Sequence, residues 1–254
     1  MSLPQTPSFR LDGRRAIVTG AGRGIGLALA AALAQAGAAV TLLARSAPEI
    51  VDAAARIRAE GGAAEAETVD VLDLAAVAGF FSARPAFHVL VNNAGTNHPK
   101  SILEVTEHDY DAVLDLNLKS AYFVAQSAAR RMIEEAIVGS MIHVGSQMGH
   151  VGGLRRSLYC ASKWGLEGVS KAIALDLAPH GIRSNVVAPT FIDTPMTKPF
   201  FEDATFKAMV LQKIKLGRIG TVEDLMGAVL FLAGDASALV TGTSLLIDGG
   251  WTAG

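Results

Sequence analysis

The sequence predicts an α/β fold in which about seven parallel strands form a doubly wound sheet with helices on both faces. Short apolar segments alternate with longer helical patterns along the chain, an order typical of β-α-β units with right-handed crossovers. The strand segments are apolar throughout, as expected when helices cover both faces of a sheet. No repeat, low-complexity tract or linker divides the chain. We therefore expect a single domain over residues 1–254.

The predicted elements follow this alternation in order. Strands are predicted at residues 16–18, 39–44, 65–69, 87–91, 140–144, 182–187 and 244–247. Helices are predicted at residues 25–36, 49–60, 74–82, 107–135, 158–178 and 222–233. Gly37 and Gly61 stand where the first two helices should end, because glycine readily adopts the positive φ of a helix terminus. Residues 1–12 contain Pro and Ser and are predicted to form a loose N-terminal arm.

Composition argues against several classes of function. The chain has 22 Lys and Arg against 24 Asp and Glu, which lacks the basic excess expected of a nucleic-acid-binding protein. Apolar runs are shorter than the ~20 residues of a membrane span, and the N-terminus has no apolar run suited to a signal peptide. Cys160 is the single cysteine, and the histidines show no metal-ligand spacing. We expect a cytoplasmic protein with no nucleic-acid, membrane or metal partner.

A glycine-rich segment links the first predicted strand to its helix. Residues 19–26 read Thr-Gly-Ala-Gly-Arg-Gly-Ile-Gly. Glycines let the main chain approach a pyrophosphate closely, and the N-terminus of the following helix offers free N–H groups to the anion. The spacing differs from the general G-x-G-x-x-G fingerprint because Ile25 occupies its last glycine position. The segment indicates a dinucleotide site, with a purely structural turn as the alternative.

The end of the second predicted strand bears on the choice of cofactor. A site that prefers NAD usually places an acidic residue there, whereas this strand ends with Ala44 and Arg45. Ala44 leaves room for a 2′-phosphate, and Arg45 and Arg23 offer guanidinium groups to bind it. The sequence thus predicts NADP(H) as the preferred cofactor, with NAD(H) possible. The alternative is that both arginines only face solvent.

Ser146, Tyr159 and Lys163 are the candidate catalytic residues. Tyr159 and Lys163 are four residues apart in a predicted helix, so their side chains share one face. The ammonium is expected to lower the phenol pKa from its usual ~10, which would let Tyr159 exchange a proton with a carbonyl or alcohol oxygen. Ser146 follows the strand at residues 140–144, at the carboxyl end of the sheet, where ligands bind in folds of this class. This combination predicts hydride transfer at an alcohol or carbonyl.

These motifs resemble those of the short-chain dehydrogenase/reductase family, and the likeness covers residues 10–250. The matching segments are residues 19–26, Asp70 with Val71, the Asn-Asn-Ala-Gly stretch at 92–95, and the tetrad Asn117, Ser146, Tyr159 and Lys163. The resemblance implies a Rossmann-type domain and an oxidoreductase that forms a homotetramer. The family usually has Pro-Gly where this chain has Pro189 and Thr190.

The resemblance also implies roles for individual residues. Tyr159 would be the general acid/base, Ser146 would hold the substrate oxygen, and Lys163 would bind the nicotinamide ribose and lower the phenol pKa. Asn117 would bend its helix and anchor a water that relays protons. With the glycine loop and the arginines, the expected cofactor-binding residues are Gly20, Arg23, Gly24, Ile25, Gly26, Arg45, Asp70, Val71, Asn93, Ala94, Gly95, Tyr159, Lys163, Pro189, Ile192 and Thr194.

Substrate specificity is expected from three loops at residues 96–101, 147–157 and 191–213. Gln147, His150 and Arg155 are the predicted substrate residues. Arg155 and its neighbour Arg156 would together suit the carboxylate of a keto sugar acid, although both are also explained as solvated charges or subunit contacts. Residues 190–213 are predicted as a substrate lid, whose apolar side chains either exclude water or pack ordinarily. Those side chains are Met196, Phe200, Phe201, Phe206 and Met209.

The C-terminal region leaves the substrate class open. Residues 217–251 resemble the family's sugar and sugar-acid members, such as gluconate and deoxygluconate dehydrogenases, and also its 3-oxoacyl-carrier-protein reductases. A polyol, sugar or sugar acid is the preferred prediction, and a β-ketoacyl substrate is the alternative. A non-catalytic NADP(H) sensor is a third hypothesis, which the intact tetrad disfavours.

Overall fold

The computed structural model describes residues 3–254, and its centre is one parallel sheet with strand order β3-β2-β1-β4-β5-β6-β7. The strands are β1 Arg15–Thr19, β2 Ala39–Ala44, β3 Ala63–Thr68, β4 Val89–Asn92, β5 Ser140–Val144, β6 Arg183–Pro189 and β7 Ser244–Ile247. The helices are α1 Gly24–Gln35, α2 Ala47–Ala59, α3 Leu74–Ser82, α4 Glu107–Leu114, α5 Ser120–Glu134, α6 Ser157–Leu177, α7 Ala204–Lys213 and α8 Glu223–Ala233. The predicted fold class is confirmed.

Two apolar clusters cover the two faces of the sheet. Successive strand residues point to opposite faces, so Val18 joins the cluster formed with α1, α2 and α8, while Ile17 joins the cluster formed with α3 and α5. Strands β4 and β5 are buried along their whole length. Burial on both sides explains why the strand sequences are uniformly apolar.

The strand order reverses beside β1, and this reversal determines where a cleft opens. β1 pairs with β2 on one side and with β4 on the other. The chain therefore leaves β1 toward one edge of the sheet and returns to build the other half from β4 onward. The connections after β1 and β4 diverge, which leaves a crevice at the carboxyl ends of these strands. That crevice contains the candidate site.

The predicted helix at residues 107–135 contains an unpredicted π-helical turn, Asp115–Lys119, between α4 and α5. This turn carries Asn117, whose side chain is fully engaged with neighbouring elements. Such π turns occur often at functional sites. A hydrophobic repeat does not reveal the insertion, because the pattern continues on both sides of it.

Helix α7 lies inside the predicted lid and was also missing from the prediction. Asp203 caps it by accepting hydrogen bonds from the backbone N–H groups of Thr205 and Phe206, at 2.9 and 3.2 Å. An aspartate before a helix is a recognisable N-cap signal.

The N-terminal segment is exposed and forms no helix or strand over residues 3–10. Leu11 is fully buried, and its N–H donates to the Ala36 carbonyl at 2.8 Å, so the exposed segment ends before it. Residues 1 and 2 of the predicted arm lie outside the described residues. Between residues 3 and 254, no helix has both the length and the apolar character needed to cross a bilayer.

Candidate active site

A cleft of about 470 Å³ lies at the carboxyl ends of β1, β2, β4 and β5. Arg45 lines one end of it, and Ser146, Tyr159 and Lys163 line the other. Every residue expected to bind the cofactor lines this one cleft: Gly20, Arg23, Gly24, Ile25, Gly26, Arg45, Asp70, Val71, Asn93, Ala94, Gly95, Tyr159, Lys163, Pro189, Ile192 and Thr194. Residues far apart in the sequence are thus brought to a single surface.

The glycine loop has a backbone that other residues would strain. Gly20 and Gly24 have φ values of +64° and +56°, in the left-handed region that favours glycine. A Cβ at Gly26 would lie 2.4 Å from both the Asn93 Nδ2 atom and the Gly20 carbonyl oxygen. The loop therefore packs directly against the segment after β4, and only glycine fits at position 26.

The N-terminus of α1 opens on this loop without a capping side chain. Arg23 stands at the N-cap position and makes no side-chain capping bond, and the first turn contains no acidic residue. The unpaired N–H groups and the positive end of the helix dipole therefore favour an anion in the cleft. This arrangement, together with the tightly packed glycines, fits a dinucleotide pyrophosphate.

Thr19 and Asn93 join the glycine loop to the end of β4. The Thr19 hydroxyl accepts hydrogen bonds from the backbone N–H groups of Asn93 and Ala94, each at 3.0 Å. Asn93 in turn donates from Nδ2 to the carbonyl oxygens of Thr19 and Gly20. These bonds fix the two walls of the crevice relative to each other.

The two predicted phosphate-binding arginines differ in their pairing. Arg23 forms an ion pair with Glu49 at 3.0 Å, and Glu49 itself lines the cleft. Within residues 3–254, Arg45 makes no side-chain hydrogen bond or ion pair in the structure. Sequence reasoning missed Glu49, since it lies in α2 with nothing nearby to mark it. Arg45 is thus the arginine whose positive charge is not offset by a carboxylate.

Ser146 and Tyr159 meet where β5 ends and α6 begins. The Ser146 hydroxyl donates to Gln147 Oε1 at 2.9 Å and accepts from the Met148 N–H at 3.1 Å. Ser146 also has a lowering effect on the pKa of the Tyr159 phenol. Both side chains line the inner end of the cleft and its extension, a placement suited to holding one substrate oxygen.

The net pKa shift of Tyr159 is upward, opposite to the lowering expected from the sequence. Desolvation raises the pKa of Tyr159 above its usual value, and the lowering effects of Ser146 and Arg156 only partly offset it. Lys163 Nζ lies 5.6 Å from the centre of the Tyr159 ring and donates to the Val144 carbonyl at 2.8 Å. Burial lowers the pKa of Lys163 to about 8. The phenol therefore keeps its proton at neutral pH.

Asn117 lies behind the cleft and does not line it. Its Oδ1 accepts from the Thr96 N–H at 2.7 Å, and its Nδ2 donates to the Thr96 carbonyl at 2.9 Å and to Ser162 Oγ at 3.0 Å. The side chain thus connects the π turn to the loop after β4 and to α6, beside Lys163. In this arrangement it positions neighbouring elements.

Only one of the three predicted substrate residues lies at the site. Gln147 is buried beside Ser146 and lines a small extension of the cleft. His150 turns away and shares hydrogen bonds with Glu167 at 3.1 Å and Ser244 at 3.0 Å. Arg155 has a left-handed backbone with φ of 59°, is exposed and pairs with Glu104 at 3.2 Å. The loop path therefore removes His150 and Arg155 from the site.

The extension of the cleft has a volume of about 70 Å³ and contains Arg156, the neighbour of the predicted Arg155. Arg156 is the N-cap residue of α6, three residues before Tyr159, and its backbone is not helical. Helical spacing therefore gives no signal by which Arg156 could have been preferred over Arg155. Asn97, Thr190 and Phe200 line the same extension.

The lid segment contains both kinds of apolar residue considered from the sequence. Met196 and Phe200 line the extension. Phe201 and Phe206 instead pack edge-on against Phe191, with ring centres 6.0 and 5.6 Å apart. Among residues 3–254, no cluster of three or more His, Cys, Asp or Glu side chains is arranged to hold a metal ion.

Comparisons with known proteins agree with this geometry. A family model described as enoyl-(acyl carrier protein) reductase matches residues 20–252. D-erythrulose reductase of Gallus gallus is 38% identical over 245 residues, covering 96% of this chain and 98% of that protein. The chain belongs to the short-chain dehydrogenase/reductase family. As a member of that family it is an NAD(P)-dependent oxidoreductase that acts on alcohol or carbonyl groups.

Two further relatives of this short-chain dehydrogenase/reductase are named as dehydrogenases of sugar acids. The 2-dehydro-3-deoxy-D-gluconate 5-dehydrogenase of Escherichia coli K12 is 35% identical over 250 residues, covering 97% of this chain and 98% of that protein. A gluconate 5-dehydrogenase from Burkholderia cenocepacia, solved in complex with NADP and tartrate, superimposes with a TM-score of 0.93 at 38% identity. That match covers 97% of this chain and 98% of the solved chain.

Proposed function

We propose that this enzyme transfers a hydride between NADP(H) and the carbonyl or alcohol carbon of a polyol, sugar or sugar acid. The observation that carries the proposal is the single cleft with Arg45 at one end and the Ser146–Tyr159 pair at the other. The relatives named above act on D-erythrulose, 2-dehydro-3-deoxy-D-gluconate and gluconate by their names. Their similarity to this chain supports a hydroxylated substrate.

The residues present fit NADP(H). The pyrophosphate would lie on the glycine loop at the N-terminus of α1, and the 2′-phosphate would meet Arg45, whose charge has no partner in residues 3–254. The gluconate 5-dehydrogenase with a similar fold was solved with NADP. When bound, the dinucleotide supplies the hydride through its nicotinamide ring.

In this proposal the protein handles the proton and the substrate oxygen. An ordinary phenol, with a pKa of ~10, is protonated at neutral pH, and desolvation raises the pKa of Tyr159 further. Tyr159 therefore holds a proton that it donates to the substrate oxygen in the reductive direction. Ser146 holds the same oxygen by a hydrogen bond. Lys163, buried below the phenol ring, provides positive charge that stabilises the phenolate formed. Asn117 positions these elements and is not itself in contact with substrate.

A 3-oxoacyl-carrier-protein reductase is the second candidate, and the matching family model, described as enoyl-(acyl carrier protein) reductase, also names a carrier-protein substrate. The apolar acyl chain of such a substrate would enter the extension beyond Ser146. That extension contains the buried guanidinium of Arg156. Burying a charge against an apolar chain is costly. The polar lining therefore favours a hydroxylated substrate over an acyl chain.

The proposal includes a cytoplasmic homotetramer. The helix face around Ala121 and Ala125 is buried within the protomer itself and is not available as a subunit contact. Exposed aromatic side chains on α4, α5 and α6 are better candidates for the contact, namely Tyr110, Tyr122 and Trp164. The free edge of β7 adds a second surface of the kind that oligomers cover.

The test is a screen of NADPH oxidation over ketoses, keto sugar acids and β-ketoesters, with NADP⁺ reduction over the matching alcohols. We expect turnover of hydroxylated ketones and little turnover of acetoacetyl-thioesters. Preferred turnover of the thioesters would favour the acyl-reductase candidate. Tight NADPH binding without turnover of any carbonyl would support the sensor hypothesis and contradict the proposal.

A further inference from the structure

Arg156 is a buried guanidinium without a counter-ion. It is 6% exposed, and among residues 3–254 its side chain makes no ion pair and no hydrogen bond. By contrast, Arg183 gives its guanidinium hydrogens to Ser237 and three backbone carbonyls. Buried charges are normally paired, since an unpaired one loses its solvation without compensation. Arg156 therefore lacks an acceptor that a ligand would supply.

Two aromatic rings hold the Arg156 guanidinium in place. Its central carbon lies 5.0 Å from the ring centre of Phe200 and 5.9 Å from that of Phe191. Stacking on aromatic faces leaves the N–H groups at the rim of the guanidinium plane free for a planar acceptor. A carboxylate matches that rim with two parallel hydrogen bonds.

A second and independent observation concerns two orphaned polar atoms. The Oδ1 atom of Asn97 and the Oγ1 atom of Thr190 are buried without a hydrogen-bond partner, and both residues line the extension that contains Arg156. Only one other side-chain atom in residues 3–254, in Glu167, has this status. Buried polar atoms normally have a hydrogen-bond partner, so an unpaired one needs an explanation. A ligand in the extension would supply partners for both atoms.

The extension is continuous with the reaction centre. Ser146, Tyr159 and Thr190 line both the main cleft and the extension. A molecule whose reacting oxygen lies between Ser146 and Tyr159 therefore continues directly toward Arg156. The acidic residues that line the main cleft, Glu49 and Asp70, stand at its cofactor end, and none lines the extension. The substrate end of the site is positively charged.

We infer that Arg156, with Asn97 and Thr190, forms a subsite for the carboxylate and adjacent hydroxyl of a short hydroxy or keto acid. Arg156 donates to the carboxylate, Asn97 Oδ1 accepts from a substrate hydroxyl, and the Thr190 hydroxyl pairs with either group. A neutral sugar would leave the charge of Arg156 unpaired. The inference rests on the proposed function and narrows it to anionic substrates. It also gives a role to Thr190, which stands where the family usually has glycine.

The test compares two six-carbon ketones, 5-keto-D-gluconate with a carboxylate and D-fructose without one, each with NADPH. The variants are Arg156→Met, which keeps the apolar stem and removes the charge, and Arg156→Lys, which keeps a cation without the planar fork. Arg155→Met is the matched control, because Arg155 is an adjacent but exposed arginine paired with Glu104. NADPH binding, followed by fluorescence, reports whether each variant is folded.

We expect wild type to favour the acid, and Arg156→Met to lower the ratio of the two kcat/KM values by roughly 10- to 100-fold, mainly through KM of the acid. Arg156→Lys should lie between, and Arg155→Met should match wild type. Thr190→Val, which replaces the hydroxyl by a methyl group of similar size, should raise KM for the acid by several-fold. This second variant keeps the inference testable if Arg156→Met does not fold.

Two results would overturn this inference while leaving the proposed function intact. One is a wild type that reduces the neutral ketose as well as the acid; the other is an Arg156→Met variant that slows both substrates by the same factor, as a purely structural residue would. A wild type that binds NADPH and reduces no hydroxylated ketone would overturn the proposed function and the inference together.

Discussion

Lys163 donates a hydrogen bond from Nζ to the carbonyl oxygen of Val144, 2.8 Å away. Val144 is the last residue of β5 and precedes Ser146 by two residues, while Lys163 lies on α6 one turn after Tyr159. The bond therefore holds the helix that carries the phenol against the strand end that carries the serine. It uses one of the three N–H donors of the Lys163 ammonium, which leaves two for other partners.

Replacing Tyr159 by Phe tests whether the phenol transfers the proton. We expect turnover to fall by at least ~10²–10⁴-fold, the usual contribution of a general acid. NADPH affinity should change little, because the ring and the Lys163–Val144 bond remain. Tyr110→Phe, on the exposed face of α4, is the control and should keep wild-type kinetics. Retention of more than a tenth of the turnover by the Tyr159 variant would rule out its proposed role.

Sequence reasoning succeeded where spacing within one element determines geometry. Tyr159 and Lys163 share a face of α6, and the glycine loop joins β1 to α1, so local patterns suffice for both. Arg155 and Arg156 show the limit of that reasoning. The left-handed φ of Arg155 turns its side chain to solvent while Arg156 enters the site, and a backbone turn of this kind has no periodic signal.

Long-range pairings were beyond sequence reasoning for a different reason. Glu49 meets Arg23 and His150 meets Glu167 only because separate elements pack together. The sign of the Tyr159 pKa shift also depends on burial, since desolvation outweighs the lowering effects of Ser146 and of the Arg156 charge. Burial of a single side chain is set by the whole tertiary structure, which a motif does not describe.

Arg45→Gln tests the basis of cofactor choice. Removal of an unpaired guanidinium beside the expected 2′-phosphate should lower kcat/KM for NADPH by about 10- to 100-fold while affecting NADH much less. The ratio of the two kcat/KM values measures this effect. Arg56→Gln is the matched control, because Arg56 lies on α2, pairs with Asp52 and does not line the cleft. An unchanged ratio in the Arg45 variant would mean that this arginine only faces solvent.

Gly26→Ala tests the close packing of the glycine loop. The added Cβ would lie 2.4 Å from the Gly20 carbonyl oxygen, a backbone atom that cannot move without shifting the loop. We expect a loss of about 1–3 kcal/mol in the free energy of unfolding and weaker NADPH binding. Gly79→Ala is the control, since a Cβ there meets nothing within 4 Å on helix α3, and it should stabilise the protein by up to about 1 kcal/mol. Equal Tm values for the two variants would contradict the packing argument.

His143 should make the protein less stable as the pH falls. It is fully buried in β5 between Asn92 and Ser184, and burial, with a smaller effect of the Lys163 charge, lowers its pKa from 6.5 to about 4. Between pH 6.5 and 4, His143 is protonated in the unfolded chain but not in the folded protein. The contribution of this group to the free energy of unfolding is therefore fully present above pH 6.5 and is lost as the pH falls toward 4, by on the order of 3 kcal/mol. His143→Gln keeps a neutral hydrogen-bonding side chain and removes this titration. Urea unfolding at pH 7, 5.5 and 4 measures the free energy of unfolding, which should fall more steeply with pH for wild type than for His143→Gln. The control His180→Gln, at an exposed site, should behave like wild type. Parallel pH profiles for all three proteins would exclude His143 as the source.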